Sequence, residues 1–144
     1  MIGEAVGELN WIAVGASTLA AFGIGLVWFA PAALGGVWAR QVERYTGIHA
    51  VETAAGASRP SRLAPWLAAI ALNATGLALV IQLAAADSPG DGMFLGLATG
   101  IGLGVSLASW PAIFARMPIG WWMLNVGAFL VMQLAMGAIL GAWR

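Results

Sequence analysis

Residues 11–30 read WIAVGASTLAAFGIGLVWFA, twenty consecutive residues without a charge. At a rise of about 1.5 Å per residue, a helix of this length covers about 30 Å, the thickness of a bilayer's hydrocarbon core. The stretch reads as a membrane span. Pro31 closes it, because proline donates no backbone N–H and disfavours helix at the residue before it. A secretory signal has a basic leader and a shorter apolar core. Residues 1–10 carry Glu4 and Glu8 and no basic side chain, so the expectation is a retained first span.

Working outward, the same texture recurs. Spans are expected at about 63–86, 93–115 and 119–143, each free of Asp, Glu, Lys, Arg and His. Pro65 is expected in the first turn of the second span, where a missing N–H is harmless. Residues 87–92, DSPGDG, read as a tight turn, and Pro111 is expected to kink the third span. Between the first two spans, residues 34–46 differ in character. Leu34, Trp38, Val42 and Tyr45 share one helical face, with Arg40, Gln41, Glu43 and Arg44 largely opposite. That pattern fits a short amphipathic helix lying in the membrane interface, or else a solvated extension of span one. Gly47 is its stop, and residues 48–62 read as a loop.

The whole composition agrees. Of 144 residues, 61% are hydrophobic and 8% charged, with a mean hydropathy of +0.89. Soluble domains carry about 25% charged residues. A soluble fold, a disordered chain and a nucleic-acid binder are excluded, the last for want of a basic patch. The expected fold is all-α: one polytopic membrane domain over 1–144, four transmembrane helices with an interfacial helix after the first. Arg40, Arg44, Arg59, Arg62 and Arg116 fall on one side of the membrane. Arg144, Glu4, Glu8, Asp87 and Asp91 fall on the other. Basic short loops stay in the cytoplasm, which places both termini outside.

Tryptophans mark the span ends, where an amphipathic ring suits the headgroup level. Trp28, Trp38, Trp66, Trp110, Trp121 and Trp122 are expected as anchors on the arginine side, Trp11 and Trp143 on the other.

Chemistry-bearing residues are few. There is no cysteine and one histidine; His49 reads as an ordinary loop residue. Serines have no histidine at hand, so nucleophilic catalysis has no basis. Glu4, Glu8, Asp87 and Asp91 read as a solvated acidic rim rather than a metal site. No catalytic, cofactor or metal residues are expected, and the protein is not expected to be an enzyme. Charge-free spans also speak against a pump built on a membrane-buried carboxylate.

Two patterns remain. Asn73, Thr75, Gln82, Asn125 and Gln133 are polar residues within spans, suited to hydrogen bonds between helices. Asn73 and Asn125 are expected to meet, and Gln82 to reach water. Gly96, Gly100 and Gly104, extended by Ala108, form a row of small residues at four-residue spacing, with Gly137 and Gly141 a shorter row in span four. Such rows let helices approach backbone to backbone, either within the bundle or against another subunit.

The chain opens its first span with Leu9-Asn10-Trp11-Ile12-Ala13-Val14 and leaves it through Trp28-Phe29-x-Pro31 and Val37-Trp38. It closes with Asn125-Val126-Gly127-Ala128 and Met136-Gly137-Ala138-Ile139-Leu140-Gly141-Ala142-Trp143. In these stretches it resembles the bacterial membrane family called domain of unknown function 1761. The likeness lies at both ends, and the middle agrees in hydropathy. Phe29 stands where tyrosine is common, and Phe129 where a polar aromatic residue is expected. A family site using those hydroxyls would be lacking here. The resemblance implies a four-helix bacterial inner-membrane protein and brings no activity.

Two functions follow as expectations. One is an accessory subunit packing through span three or four against a larger membrane complex or its own copy. The other is a small transporter or channel for a neutral or lipophilic solute.

Overall fold

The computed structural model describes residues 7–49 and 59–143. Glu4, Glu52, Arg144 and most of the expected 48–62 loop lie outside them. The described chain is helical: α1 Trp11–Trp28, α2 Gly36–Thr46, α3 Pro60–Leu83, α4 Pro89–Phe114 and α5 Ile119–Ala142. Four stretches, Trp11–Thr46, Pro60–Leu83, Pro89–Phe114 and Ile119–Ala142, are long and apolar enough to cross a membrane.

Local chemistry sets the boundaries. Asn10 starts α1: its side-chain oxygen accepts the N–H groups of Ile12 and Ala13, both at 3.1 Å. Such a cap satisfies donors that the first helical turn leaves free. The helix stops at Trp28, and Ala33 leaves helical geometry at φ −108°, ψ −117°. Gly35 then sits so close to the Phe29 carbonyl that a Cβ there would overlap it. Leu34, expected on the amphipathic helix, therefore lies in the break before α2. Gly47 ends α2 at φ +72°, a conformation that glycine adopts freely.

The second and third spans begin earlier than their hydropathy suggests. α3 starts at Pro60, which takes the first-turn position expected of Pro65 and leaves Pro65 inside the helix. α3 stops at Leu83 because Ala85 turns left-handed at φ +53°. The N–H of Ala86 then returns to the Ile81 carbonyl, 3.1 Å, and that of Ala85 to Gln82, 3.1 Å. This is a Schellman stop with alanine where glycine is usual.

The expected DSPGDG turn is largely the first turn of α4. Ser88 Oγ accepts the Asp91 N–H at 3.1 Å, and its hydroxyl donates to the Asp91 carboxylate at 2.6 Å. Ser88 and Asp91 thus pair across the helix start in the manner of a capping box, with Pro89 at the first position. α4 widens into π-type turns at Gly100–Val105, a glycine-rich run with weak helical preference, and carries Pro111 inside its last segment.

The helix α5 is the hub. α1, α2, α3 and α4 all pack against it, and α1 and α4 do so without substantial contact with each other. α1 carries a stripe of small residues, Ala13, Ser17, Ala21 and Gly25, all buried. Ser17 and Thr18 keep their buried hydroxyls satisfied by donating to the Val14 carbonyl, 2.9 and 2.7 Å. On the other side, glycines join α4 to α5. A Cβ on Gly92 would overlap the Gly137 carbonyl, one on Gly96 the Gln133 carbonyl, and one on Gly141 the Ser88 carbonyl.

Replacing Gly96 by leucine forces α4 and α5 apart and costs about 1–3 kcal/mol. At Gly102 a Cβ would meet nothing within 4 Å, so the same change there costs under about 0.5 kcal/mol. Thermal unfolding in detergent separates the two. Ala85→Gly relieves the left-handed alanine and raises stability by about 1 kcal/mol, seen as a higher midpoint in the same measurement.

Candidate functional site

α3 and α4 are joined by the short turn at 84–88, and α3 packs on the first segment of α4, Pro89–Thr99. Beyond that segment the two helices part. The gap is floored by α5 and forms a cleft of about 770 Å³ that is open to one side. Gly76 and Val80 line the α3 wall, Leu103 and Leu107 the α4 wall, and Phe129 and Met132 the floor. The widened turns of α4 thus form part of this wall. No Asp, Glu, Lys, Arg or His among the described residues lines the cleft. Leu103 and Leu107, on the α4 wall, are 68% and 70% exposed.

Four polar side chains line this apolar space: Asn73, Thr99, Asn125 and Gln133. The expected pairing of Asn73 with Asn125 does not form. Asn73 instead donates its side-chain N–H to Gln133 Oε1 at 2.9 Å, and Asn125 donates to the Trp121 carbonyl at 2.7 Å. The reason is rotational: Gln133 is buried on α5 at 2% exposure, in reach of α3, whereas Asn125 turns back on its own helix. Thr99 donates to the Leu95 carbonyl, 2.8 Å. Gln82, expected to reach water, approaches the Glu8 carboxylate with its amide nitrogen, 3.4 Å. Thr75 bonds to the Ala71 carbonyl.

The glycine row faces inward. Gly96 and Gly100 lie against Gln133 and Leu130, and a Cβ on Gly104 would overlap the Phe129 ring. Ala108 continues along the cleft wall. Gly137 and Gly141 meet Gly92, a residue expected in the turn. Its place four residues before Gly96 was the available signal. The small stripe of α1 carried the same four-residue spacing and was likewise missed.

The tryptophans divide. Trp11, Trp110 and Trp143 are exposed, and Trp122 donates to Ser109 Oγ at 3.2 Å. Trp121 is half-buried. Trp28, Trp38 and Trp66 are half-buried. Trp66 stacks at a tilt on Phe22, centroids 5.1 Å apart, and Phe29 meets Trp38 edge-on at 5.7 Å. The Trp28 and Trp38 indole N–H groups are buried without a hydrogen-bond partner among the described residues. Gly25 and Gly127 make room for this packing, beneath Trp66 and Trp28 respectively.

A second cavity of about 470 Å³ lies toward the arginine-bearing end, with Arg62 in its lining. Phe29, Trp66 and Asn125 line both cavities. The Phe29 and Trp66 rings, 6.5 Å apart, therefore form a shared wall between them. Just beyond α2, His49 Nδ1 lies 3.3 Å from Glu43 Oε1, on the exposed surface.

A family model described as "Protein of unknown function (DUF1761)" matches residues 12–141. No curated protein and no solved structure matches the chain.

Removing one member of the buried amide pair leaves the other without its partner. Asn73→Leu is expected to cost about 1–2 kcal/mol, and Asn73→Leu with Gln133→Leu less than the sum of the two single changes. A double-mutant cycle on unfolding free energies in detergent should return a coupling of about 1 kcal/mol.

Proposed function

The chain belongs to the family described as "Protein of unknown function (DUF1761)", a description that assigns no activity, and from the geometry we propose that it is a small membrane transporter for a neutral, lipophilic solute. The observation that carries this reading is the charge-free cleft between α3, α4 and α5. Its volume falls within the roughly 300–1,000 Å³ usual for small-molecule sites. Its α4 wall carries the exposed Leu103 and Leu107, so a molecule dissolved in the bilayer can enter sideways without crossing water. An ion would have to leave its hydration shell for a wall with no countercharge.

The second cavity supports carriage rather than storage. A solute passing the shared Phe29–Trp66 wall would move from the cleft toward the arginine-bearing end. Arg40, Arg44, Arg59, Arg62 and Arg116 at that end argue for its lying in the cytoplasm, with the protein in a bacterial inner membrane. The amphipathic α2 would then rest in the interface on that side. Nothing in the cleft supplies a nucleophile with a base beside it, so the reading is one of binding and movement, not catalysis. The accessory-subunit role drew on the glycine row as well as on the charge-free spans and the lack of catalytic residues. Within the chain, Gly96 and Gly100 of that row already lie against α5, which weakens its use as a face for a partner.

Gly76 lines the cleft and has nothing within 4 Å of where a Cβ would stand. Gly76→Phe should fill the space without disturbing α3, whose helical preference it improves. Protein purified in mild detergent and extracted with organic solvent should yield a near-stoichiometric neutral lipophile from the wild type. The variant should yield about tenfold less. Equal yields from the two proteins would overturn the proposal.

A further inference from the structure

The cleft is apolar except at one place that has more hydrogen-bonding capacity than the protein uses. Gln133 is 2% exposed, lines the cleft, and accepts a hydrogen bond from Asn73 through Oε1. Among the described residues, its amide nitrogen donates to nothing, and the Asn73 carbonyl oxygen accepts nothing. Exchanging nitrogen and oxygen in both amides leaves the same pair joined the other way round. In either arrangement one N–H donor group and one carbonyl acceptor remain. Both residues lie near the middle of their helices, farthest from water if those helices span a bilayer.

A desolvated amide with unused donors is costly unless something fills them. Hydrocarbon chains cannot. A carboxylate or phosphate could accept the bond but would bring a charge into a wall that holds no cation. The group that fits both requirements is a neutral carbonyl or hydroxyl. Resting on the transporter reading above, we propose that the Asn73–Gln133 pair recognises a lipophile bearing one neutral carbonyl or hydroxyl, with its hydrocarbon part along the Leu103 and Leu107 wall. A carbonyl takes the free amide N–H, and a hydroxyl can also donate to the free amide oxygen. The pair thereby both joins α3 to α5 and selects the solute.

Native mass spectrometry of the full chain released from detergent micelles tests this with three probes of matched length: 2-tridecanone, tridecane and tridecanoate at pH 9. The wild type is expected to retain the ketone about tenfold more than the alkane and to reject the carboxylate. Asn73→Leu with Gln133→Leu, which removes both polar partners while keeping bulk, should bind ketone and alkane alike. Should that variant fail to fold, Gln133→Met alone should still reduce the ketone preference at least threefold. Equal retention of ketone and alkane by the wild type would overturn this recognition while leaving the transporter reading intact, whereas retention of the carboxylate at the ketone's level would overturn both. Retention of none of the three would overturn both.

Discussion

Everything in this bundle depends on how closely α4 approaches α5. At Gly92, Gly96, Gly137 and Gly141 the two backbones touch, and a single added methyl would meet a carbonyl or an α-carbon of the other helix. In a bilayer, lipid tails are as apolar as leucine, so burying apolar surface gives little reason for helices to associate. Close packing and hydrogen bonds must supply it. Glycine makes such packing available by removing the side chains that would hold two helices apart. The same contact limits where the rest of α4 can go. Pinned to α5 and tied to α3 by the turn at 84–88, it departs from α3 beyond Thr99, and the cleft is what that departure leaves.

The wall of the cleft shows how a polar site can exist in so apolar a chain. Ser17, Thr18, Thr75 and Thr99 donate to carbonyls of their own helices, which satisfies each hydroxyl without a partner elsewhere. An amide cannot be satisfied this way in full, since it has donors and acceptors on different atoms. Asn73 and Gln133 meet part of each other's need. What remains is directed into a space large enough to hold a small molecule, and this is the physical basis for reading the cleft as a site rather than a packing defect.

The two stretches that carry the family likeness are also joined in space. Asn10, from the opening Asn-Trp pair, caps α1 with its oxygen and approaches the Trp143 carbonyl with its amide nitrogen, 3.4 Å. At the other end of α1, Trp28 lies over Gly127, which belongs to the Asn125–Ala128 stretch of α5. First and last helices therefore meet at both ends through residues that sequence similarity had picked out separately. Phe29, from the stretch that leaves the first span, is one of the rings dividing the two cavities.

The sequence by itself determined that this is an all-helical chain with four helices able to cross a membrane. Length, apolarity and the absence of charge are properties of contiguous residues and need no neighbour to express them. It also held the stop at Gly47, because capping acts within three or four residues; the start of α4 was misplaced because Ser88 and Asp91 fit a turn as well as a helix start. Only the tertiary structure decided which face of the glycine row was covered, that Asn73 meets Gln133 and not Asn125, and that Trp38 and Trp66 pack on phenylalanines. Those outcomes depend on how each helix is rotated about its axis and where it crosses the others. Mean hydropathy is nearly uniform around these helices, so it holds no record of rotation. Contacts between residues sixty positions apart, such as Asn73 and Gln133, set it instead.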